Sequence, residues 1–141
     1  GKSPRLVFRK TNNYVLAQYL TSKEAQDKII LGVNSKSLLK YGWPKESTSS
    51  LKSIPASYLL GYLIGKQINK NKLEAPIIDF GMIENLYKTK IYAFLKGIID
   101  AGIKMNHKKE IFPEEERIQG KNMKKDFSKE FKKIKSKIDT L

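Results

Sequence analysis

The first third of the chain alternates between apolar and polar residues with the period of two that is typical of β-strands. Thr and Asn residues separate the first two alternating segments, and Asn in particular favours tight turns. The sequence therefore predicts an opening antiparallel hairpin followed by a third strand. The predicted strands are Arg5–Lys10, Tyr14–Leu20 and Lys28–Val33, with a turn at residues 11–13. In the first strand, Leu6 and Phe8 share one face, and Arg5 and Arg9 share the other.

Helical spacing dominates the rest of the chain, with apolar residues three and four positions apart. Ser53 has the character of a helix cap, and Gly61 and Gly65 give the helix that follows a small-residue face, which we expect to pack closely against a sheet. The predicted helices are a short one at Lys36–Tyr41 that stops at Gly42, then Ser53–Asn71, Lys90–Ala101 and Pro113–Gly120, with a buried strand in Pro76–Gly81.

The C-terminal tail predicts one further, Lys-rich helix. Its apolar residues recur at intervals of four and three, which makes a single apolar seam. The seam consists of Phe127, Phe131, Ile134, Ile138 and Leu141. Such a short helix is stable only when its seam is buried, either on this domain's own core or on a partner. We expect one domain at residues 1–120 and a helical tail at residues 121–141.

This order of elements predicts an α/β fold. It consists of a mixed β-sheet with an opening antiparallel hairpin and helices packed on the sheet, plus the basic C-terminal helix.

The charge of the chain points to a polyanionic partner. Its 141 residues include 28 Lys and Arg against 14 Asp and Glu, a net charge of +14. Residues 1–10 and 121–141 carry +4 and +5 of this excess. Uncompensated basic charge is typical of nucleic-acid binding.

The composition excludes several classes of site. The chain has no Cys and one His, His107, which excludes disulfide scaffolds, zinc fingers and Cys nucleophiles. We interpret His107 as a surface residue and expect no cofactor, no metal, no membrane segment and no small-molecule substrate. The chain opens on Gly1, and we expect the natural N terminus to lie further upstream.

One arrangement suggests an enzyme. Asp79 follows a predicted strand and precedes Gly81, which is how ribonuclease-H-like nucleases present a metal ligand. A two-metal site needs three or four convergent carboxylates. The other candidates are Glu84, Asp100 and Glu114–Glu116, and most have simpler roles at helix ends or beside lysines. We therefore expect no catalytic residues, and we keep two alternatives, a metal-dependent RNA nuclease and an assembly factor that binds RNA.

The hairpin offers better chemistry for RNA. Its residues interleave guanidinium, ammonium, hydroxyl, amide and aromatic groups, all of which contact phosphate, 2′-hydroxyl or bases in RNA complexes. The same chemistry recurs at the start of the long helix, where free N–H groups suit phosphate. Trp43, between Gly42 and Pro44, either wedges its loop onto the core or offers a face to a base.

Seven segments in order resemble one family, the large-subunit ribosomal protein L-eighteen in its archaeal branch, whose eukaryotic counterpart is the L-five type. The resemblance covers roughly residues 4–123. The segments are Pro4–Asn12, Val15–Gln18, Tyr41–Trp43, Pro55–Gly61, Ile78–Gly81, Leu95–Gly102 and Pro113–Gly120.

The resemblance implies a non-enzymatic, cytoplasmic protein of the large ribosomal subunit. Such a protein binds 5S rRNA and seats it in the central protuberance, beside 23S rRNA and neighbouring ribosomal proteins. Carried over to this chain, the RNA-contacting residues are Arg5, Arg9, Lys10, Thr11, Asn12, Asn13, Tyr14, Gln18, Lys88, Thr89 and Lys90. The charge pattern adds Arg117 and Lys121 as further RNA-binding candidates.

Overall fold

Four strands form one mixed sheet in the order β3-β2-β1-β4. They are β1 (Arg5–Lys10), β2 (Val15–Lys23), β3 (Gln26–Asn34) and β4 (Ile77–Asp79). β1, β2 and β3 pair antiparallel in chain order, and β4 adds to β1 in parallel. The computed structural model describes residues 4–23, 26–79, 88–104, 113, 115–120 and 126–140. The predicted fold class and the opening hairpin are confirmed.

Strands β2 and β3 both extend further than the sequence predicts. Thr21 pairs with Lys28 and Ser22 with Asp27, so residues assigned to a connection continue the ladder. The Ser22 hydroxyl also donates a hydrogen bond to the Asp27 carboxylate at 2.5 Å. A register shift between Tyr19 and Leu20 accommodates the long pair. The extension consists mainly of polar residues, which lack the alternation of apolar and polar positions that predicts a strand.

The helices follow the predicted order. Two 3₁₀ helices span Ser35–Tyr41 and Lys45–Ser50, and the α-helices are α1 (Ile54–Lys70), α2 (Lys88–Asp100), α3 (Glu115–Gln119) and α4 (Ser128–Asp139). The Ser53 hydroxyl caps α1 by accepting from the Ala56 N–H, with Pro55 in the first turn. Gly42, Gly102 and Gly120 end their helices with positive φ, a conformation that glycine adopts without a Cβ penalty. In the described part of the chain no helix is both long and apolar enough to cross a membrane.

The sheet has one covered face and one open face. Leu6, Ala17 and Tyr19 point inward and are buried against α1 and α2. The opposite face carries Arg5, Val7 and Arg9 of β1, as the alternation predicts, with their partners on β2. Ile77 pairs with Arg5 on the open face and is 59% exposed. The predicted strand is therefore present, but the prediction that it is buried was wrong at Ile77, which lies on the open face of the sheet.

Glycines let α1 and α2 approach each other closely. A Cβ on Gly61 would meet the Phe94 backbone, and one on Gly65 would lie 2.7 Å from the Ala101 Cβ. On the facing helix, a Cβ on Gly97 would meet the Tyr58 carbonyl oxygen. The small-residue face thus packs on a helix, and the expectation that it meets the sheet was wrong. Gly97 of α2 provides the recess that matches the small-residue face of α1.

Helix α1 is buried on almost every side because it lies between two layers. Leu60 and Ile64 pack toward the sheet, whereas Leu59 and Leu63 pack toward the 3₁₀ helices, α3 and α4. This position explains why the sequence of α1 is apolar around its whole circumference.

The seam of α4 docks on this domain's own core. Phe127, Phe131, Ile134 and Ile138 are at most 5% exposed and belong to the same cluster as α1. The Tyr62 hydroxyl of α1 donates to Asp139 of α4, and the pKa of Tyr62 is raised by burial and by this carboxylate. Of the two alternatives for the seam, the structure shows burial within the chain. The proposed division into residues 1–120 and 121–141 stays a prediction.

The Trp43 side chain belongs to the same core. It is 2% exposed, packs on Phe127 with ring centroids 4.6 Å apart, and donates from Nε1 to the Ser47 carbonyl. Of the two interpretations of Trp43, packing is therefore the correct one. Several residues singled out in the sequence lie outside the described residues, namely Glu84, His107, Glu114, Lys121 and Leu141.

Candidate nucleic-acid interface

The hairpin turn is held by the Thr11 side chain. Its hydroxyl donates to the Tyr14 carbonyl at 3.0 Å and accepts from the Asn13 and Tyr14 N–H groups. The Thr11 N–H also donates to the Tyr14 carbonyl. Thr11 therefore shapes the turn, and the exposed amides of Asn12 and Asn13 are presented at its tip.

The predicted RNA-binding residues of the strands divide between two surfaces. Arg5, Arg9 and Gln18 belong to the open face of the sheet, with Gln18 paired to Val7 between the two arginines. The Arg5 guanidinium already forms a salt bridge with Asp27 of β3 at 2.8 Å. Arg9 is exposed at the end of the same row. On this surface the Arg5 guanidinium is held by a salt bridge, whereas the Arg9 side chain is exposed.

The other surface lies at the end of the hairpin, where helix α2 begins. The rings of Phe8 and Phe94 pack with centroids 4.7 Å apart. Lys10 follows Phe8 by two residues on the same strand face, and Lys90 precedes Phe94 by one helical turn. The packing of the two rings thus brings Lys10 and Lys90 together, although 80 positions of sequence separate them. The hairpin and the helix start, predicted separately, are therefore neighbours in the fold.

Two other lysines lie near enough to Lys90 for their charges to act on it. Burial lowers the pKa of Lys90, and the neighbouring ammonium groups of Lys10 and Lys52 lower it further. Like charges held together in a partly buried site are stabilised by an anion that approaches all of them. We call Lys10, Lys52 and Lys90 the lysine cluster. Its charge and position suit an RNA phosphate.

Lys52 connects the cluster to the tip of the hairpin. Its Nζ donates to the Asn12 carbonyl at 2.9 Å. It also lines a groove of about 420 Å³ between the hairpin tip and the two 3₁₀ helices. Its lining combines ammonium, amide and hydroxyl groups with the aliphatic side chains of Leu39 and Leu51, and none of the described residues that line it is acidic. The residues used below are Asn12, Asn13, Lys36, Leu39, Ser49 and Lys52.

Buried Ser35 fixes the walls of this groove. Its hydroxyl accepts from the Val15 N–H at 3.1 Å and donates to the Leu51 carbonyl. It thereby ties the strand that leaves the hairpin to the end of the second 3₁₀ helix. On one wall, the Lys36 Nζ lies 4.6 Å from the centroid of the half-buried Tyr14 ring, a cation–π distance. That side of the Tyr14 ring therefore contacts the protein itself, which favours a packing role for this side and not stacking on a base.

The remaining predicted residues have different positions. Lys88 and Thr89 belong, with Lys90, to the first turn of α2, where free backbone N–H groups and the helix dipole favour anions. Arg117 is exposed on α3, which packs against α1 and α4. Arg117 is therefore positioned by a different set of elements from the hairpin residues.

Sequence reasoning missed two lysines of this interface. Lys36 lies in a segment, residues 28–45, that contains Lys but no carboxylate, so its charge imbalance was a usable signal. Lys52 ends a polar Ser, Thr and Lys loop and gave no comparable signal. Only the contact with Asn12 and the proximity of Lys90 identify it.

The carboxylate hypothesis finds no support at Asp100. This residue accepts from the Tyr58 hydroxyl and pairs with Lys96 at 3.0 Å, so it joins α1 to α2. Asp79 ends strand β4. Among the described residues, no three His, Cys, Asp or Glu side chains lie close enough together to hold a metal ion.

Comparison with known proteins identifies the family. No protein-family model matches the chain. The chain is 39% identical over 123 residues to the large ribosomal subunit protein uL18 of Korarchaeum cryptofilum, a match that covers 87% of this chain and 61% of that protein. It is 37% identical over 120 residues to the protein of the same name from Methanothrix thermoacetophila, covering 85% of this chain and 69% of that protein.

The chain thus spans about three fifths of the first relative and somewhat more of the second. Both relatives carry the name of a ribosomal component and not of an enzyme, which agrees with the expected lack of catalysis. Both matches span more than four fifths of this chain at more than a third identity. The chain belongs to the archaeal uL18 family of large ribosomal subunit proteins.

Proposed function

We propose that this protein binds 5S rRNA and attaches it to the central protuberance of the large subunit, in the cytoplasm, in contact with 23S rRNA and neighbouring ribosomal proteins. The carrying observation is the lysine cluster at the end of the hairpin. Lys10 ends β1, Lys52 lies just before α1 and Lys90 is in the first turn of α2, and the charges of Lys10 and Lys52 both repel the charge of Lys90. An RNA phosphate bound there would offset this repulsion.

Family membership supports a ribosomal role, and the hairpin supports contact with RNA. The open sheet face adds Arg9 near the same end of strand β1, with Gln18 and Arg5 further along that face. An RNA that lies across β1 would meet Arg9 on one face and the lysine cluster on the other. Phosphate contacts of this kind position an RNA, and the amides of Asn12 and Asn13 supply groups that contact bases or 2′-hydroxyls.

We expect binding to 5S rRNA to be tight and strongly dependent on salt. If about six phosphates are neutralised, the slope of log K against log salt is expected to be about −4 to −6. Filter binding at several salt concentrations measures this slope. Transfer RNA serves as the control, because it has comparable charge density and a different fold. Equal affinity for both RNAs would contradict the 5S assignment, and a slope near zero would contradict the electrostatic account.

Arg9→Ala is expected to weaken 5S rRNA binding by about 1–3 kcal/mol, because a guanidinium can form two hydrogen bonds with one phosphate or base. Lys45→Ala is the matched control. It removes one exposed positive charge from the second 3₁₀ helix, where Glu46 follows directly. We expect a much smaller loss there. Equal losses in filter binding, with both variants folded by circular dichroism, would remove Arg9 from the interface.

A further inference from the structure

The groove at the hairpin tip has the chemistry of a site for one nucleotide. Its volume of about 420 Å³ is within the range of small-molecule pockets, roughly 300–1,000 Å³. Lys36 and Lys52 contribute two ammonium groups to its lining, and Leu39, 36% exposed, contributes an aliphatic surface. This combination of cations around an aliphatic surface matches a phosphate joined to a flat, largely apolar base.

The polar groups of the groove match the base edge. The amides of Asn12 and Asn13 offer both donors and acceptors, and Ser49 adds a hydroxyl. Unpaired bases in RNA complexes are bound through such edge contacts and by packing on flat or apolar side chains. A phosphate-only site would need neither the amides nor the aliphatic surface.

The groove is also held in shape before any ligand arrives. Ser35 ties Val15 to Leu51, and Lys52 bonds to the Asn12 carbonyl, so the walls are joined by hydrogen bonds on both sides. Preformed walls reduce the loss of conformational entropy on binding. Lys52 in addition belongs to the lysine cluster, so the groove continues directly into the surface proposed to hold the RNA backbone.

We propose that this groove takes up one unpaired, extruded nucleotide of the bound RNA, with its phosphate near Lys52 and its base between Leu39 and the amides of Asn12 and Asn13. The inference rests on the proposed function for the presence of RNA, but it names a specific site and ligand that RNA binding by itself does not require.

A substitution that fills the groove without changing the net charge tests the site. Ser49 is exposed on the groove wall, so Ser49→Trp fills the groove while the net charge stays unchanged. Ser136→Trp is the control, because Ser136 is exposed on α4, outside the groove lining. We expect Ser49→Trp to weaken binding to 5S rRNA at least tenfold, with a salt slope that becomes shallower by about 1 at most, and Ser136→Trp to stay within twofold of the original protein. Unchanged affinity of a folded Ser49→Trp variant would overturn the proposal.

Ultraviolet crosslinking of the unsubstituted protein gives a second readout that does not depend on the folding of a variant. The RNA is the whole archaeal ribosomal RNA, including 5S and 23S, and crosslinked peptides are identified by mass spectrometry. We expect crosslinks within residues 37–52, each to a nucleotide that is unpaired in the RNA. Crosslinks confined to other segments would overturn the proposal. A groove crosslink to an RNA other than 5S would support the groove and contradict the 5S assignment.

Titration with small ligands distinguishes a site for a nucleotide of RNA from a site for free nucleotides or for phosphate alone. Uridine monophosphate and inorganic phosphate are titrated while the backbone amides of residues 12, 13 and 49 are followed by NMR. We expect shifts from the mononucleotide only at millimolar concentration, and smaller shifts from phosphate. Saturation by the mononucleotide at micromolar concentration would indicate a site for free nucleotides instead of RNA. Equal shifts from phosphate would indicate an anion site without base recognition, and either result would overturn the proposal.

Discussion

Gly97→Ala is expected to destabilise the fold by about 3 kcal/mol, since inserting a methyl group into a closely packed interface forces backbone shifts. A Cβ at position 97 would overlap the Tyr58 carbonyl oxygen and lie 2.8 Å from the Tyr62 N–H nitrogen. Both obstacles are backbone atoms of α1, which cannot rotate away. In an exposed helix interior the same substitution stabilises by about 1 kcal/mol, so the expected change has the opposite sign to helix propensity.

Gly32→Ala is the matched control for Gly97→Ala. Gly32 lies in β3, and a Cβ there would have Ile29 Cγ2 at 3.8 Å as its nearest contact, which is ordinary van der Waals packing. We expect urea unfolding to show no loss of stability for this variant. Gly97→Leu is expected to leave no folded protein, because domains of this size are stable by only about 5–15 kcal/mol. A Gly97→Ala variant as stable as the original protein would contradict the close approach of α1 and α2.

The double substitution Lys52→Ala with Lys90→Ala is expected to weaken 5S rRNA binding about 100-fold, which corresponds to about 2.7 kcal/mol. Each lysine contributes a phosphate contact, so the slope of log K against log salt should become shallower by about 2. Removing the charge from Lys90 also relieves its repulsion with Lys10. Folding stability is therefore expected to be kept, and the loss should be confined to binding.

The matched control removes the same charge from the other ends of the same helices. Lys70 ends α1 and Lys104 follows α2, and both side chains are exposed. We expect the double substitution Lys70→Ala with Lys104→Ala to change the affinity less than threefold. Equal losses in the two double variants, measured by filter binding at one salt concentration, would show that net charge and not the lysine cluster determines binding.

Local features of this chain were predictable because neighbouring residues produce them. The alternation in Arg5–Lys10, the cap at Ser53, the stop at Gly42 and the seam of α4 each depend on contacts within one or two turns or along one strand. The same holds for the assignment of Arg5 and Arg9 to one face, since that follows from the period of a strand. Total charge likewise needs no structure.

Features that depend on partners distant in sequence were not predictable. Polar Ser22 and Asp27 continue a strand only because β2 and β3 lie side by side, and Ile77 is exposed only because its sheet face is uncovered. The glycine at position 61 predicts that another element packs closely against α1. The sequence does not show that this element is α2, which carries Gly97 at the contact.

The candidate interface shows the same division. Sequence alone determined that this protein has an α/β fold, a basic hairpin and a basic helix start, because each is encoded in a short stretch of residues. Only the tertiary structure decided that the packing of Phe8 on Phe94 joins the two, that Lys52 completes the lysine cluster, and that Ser35 holds a groove open beside them. The pattern of residues along one sequence does not show which distant segments become neighbours in the fold. In this protein the candidate interface is formed by such neighbours.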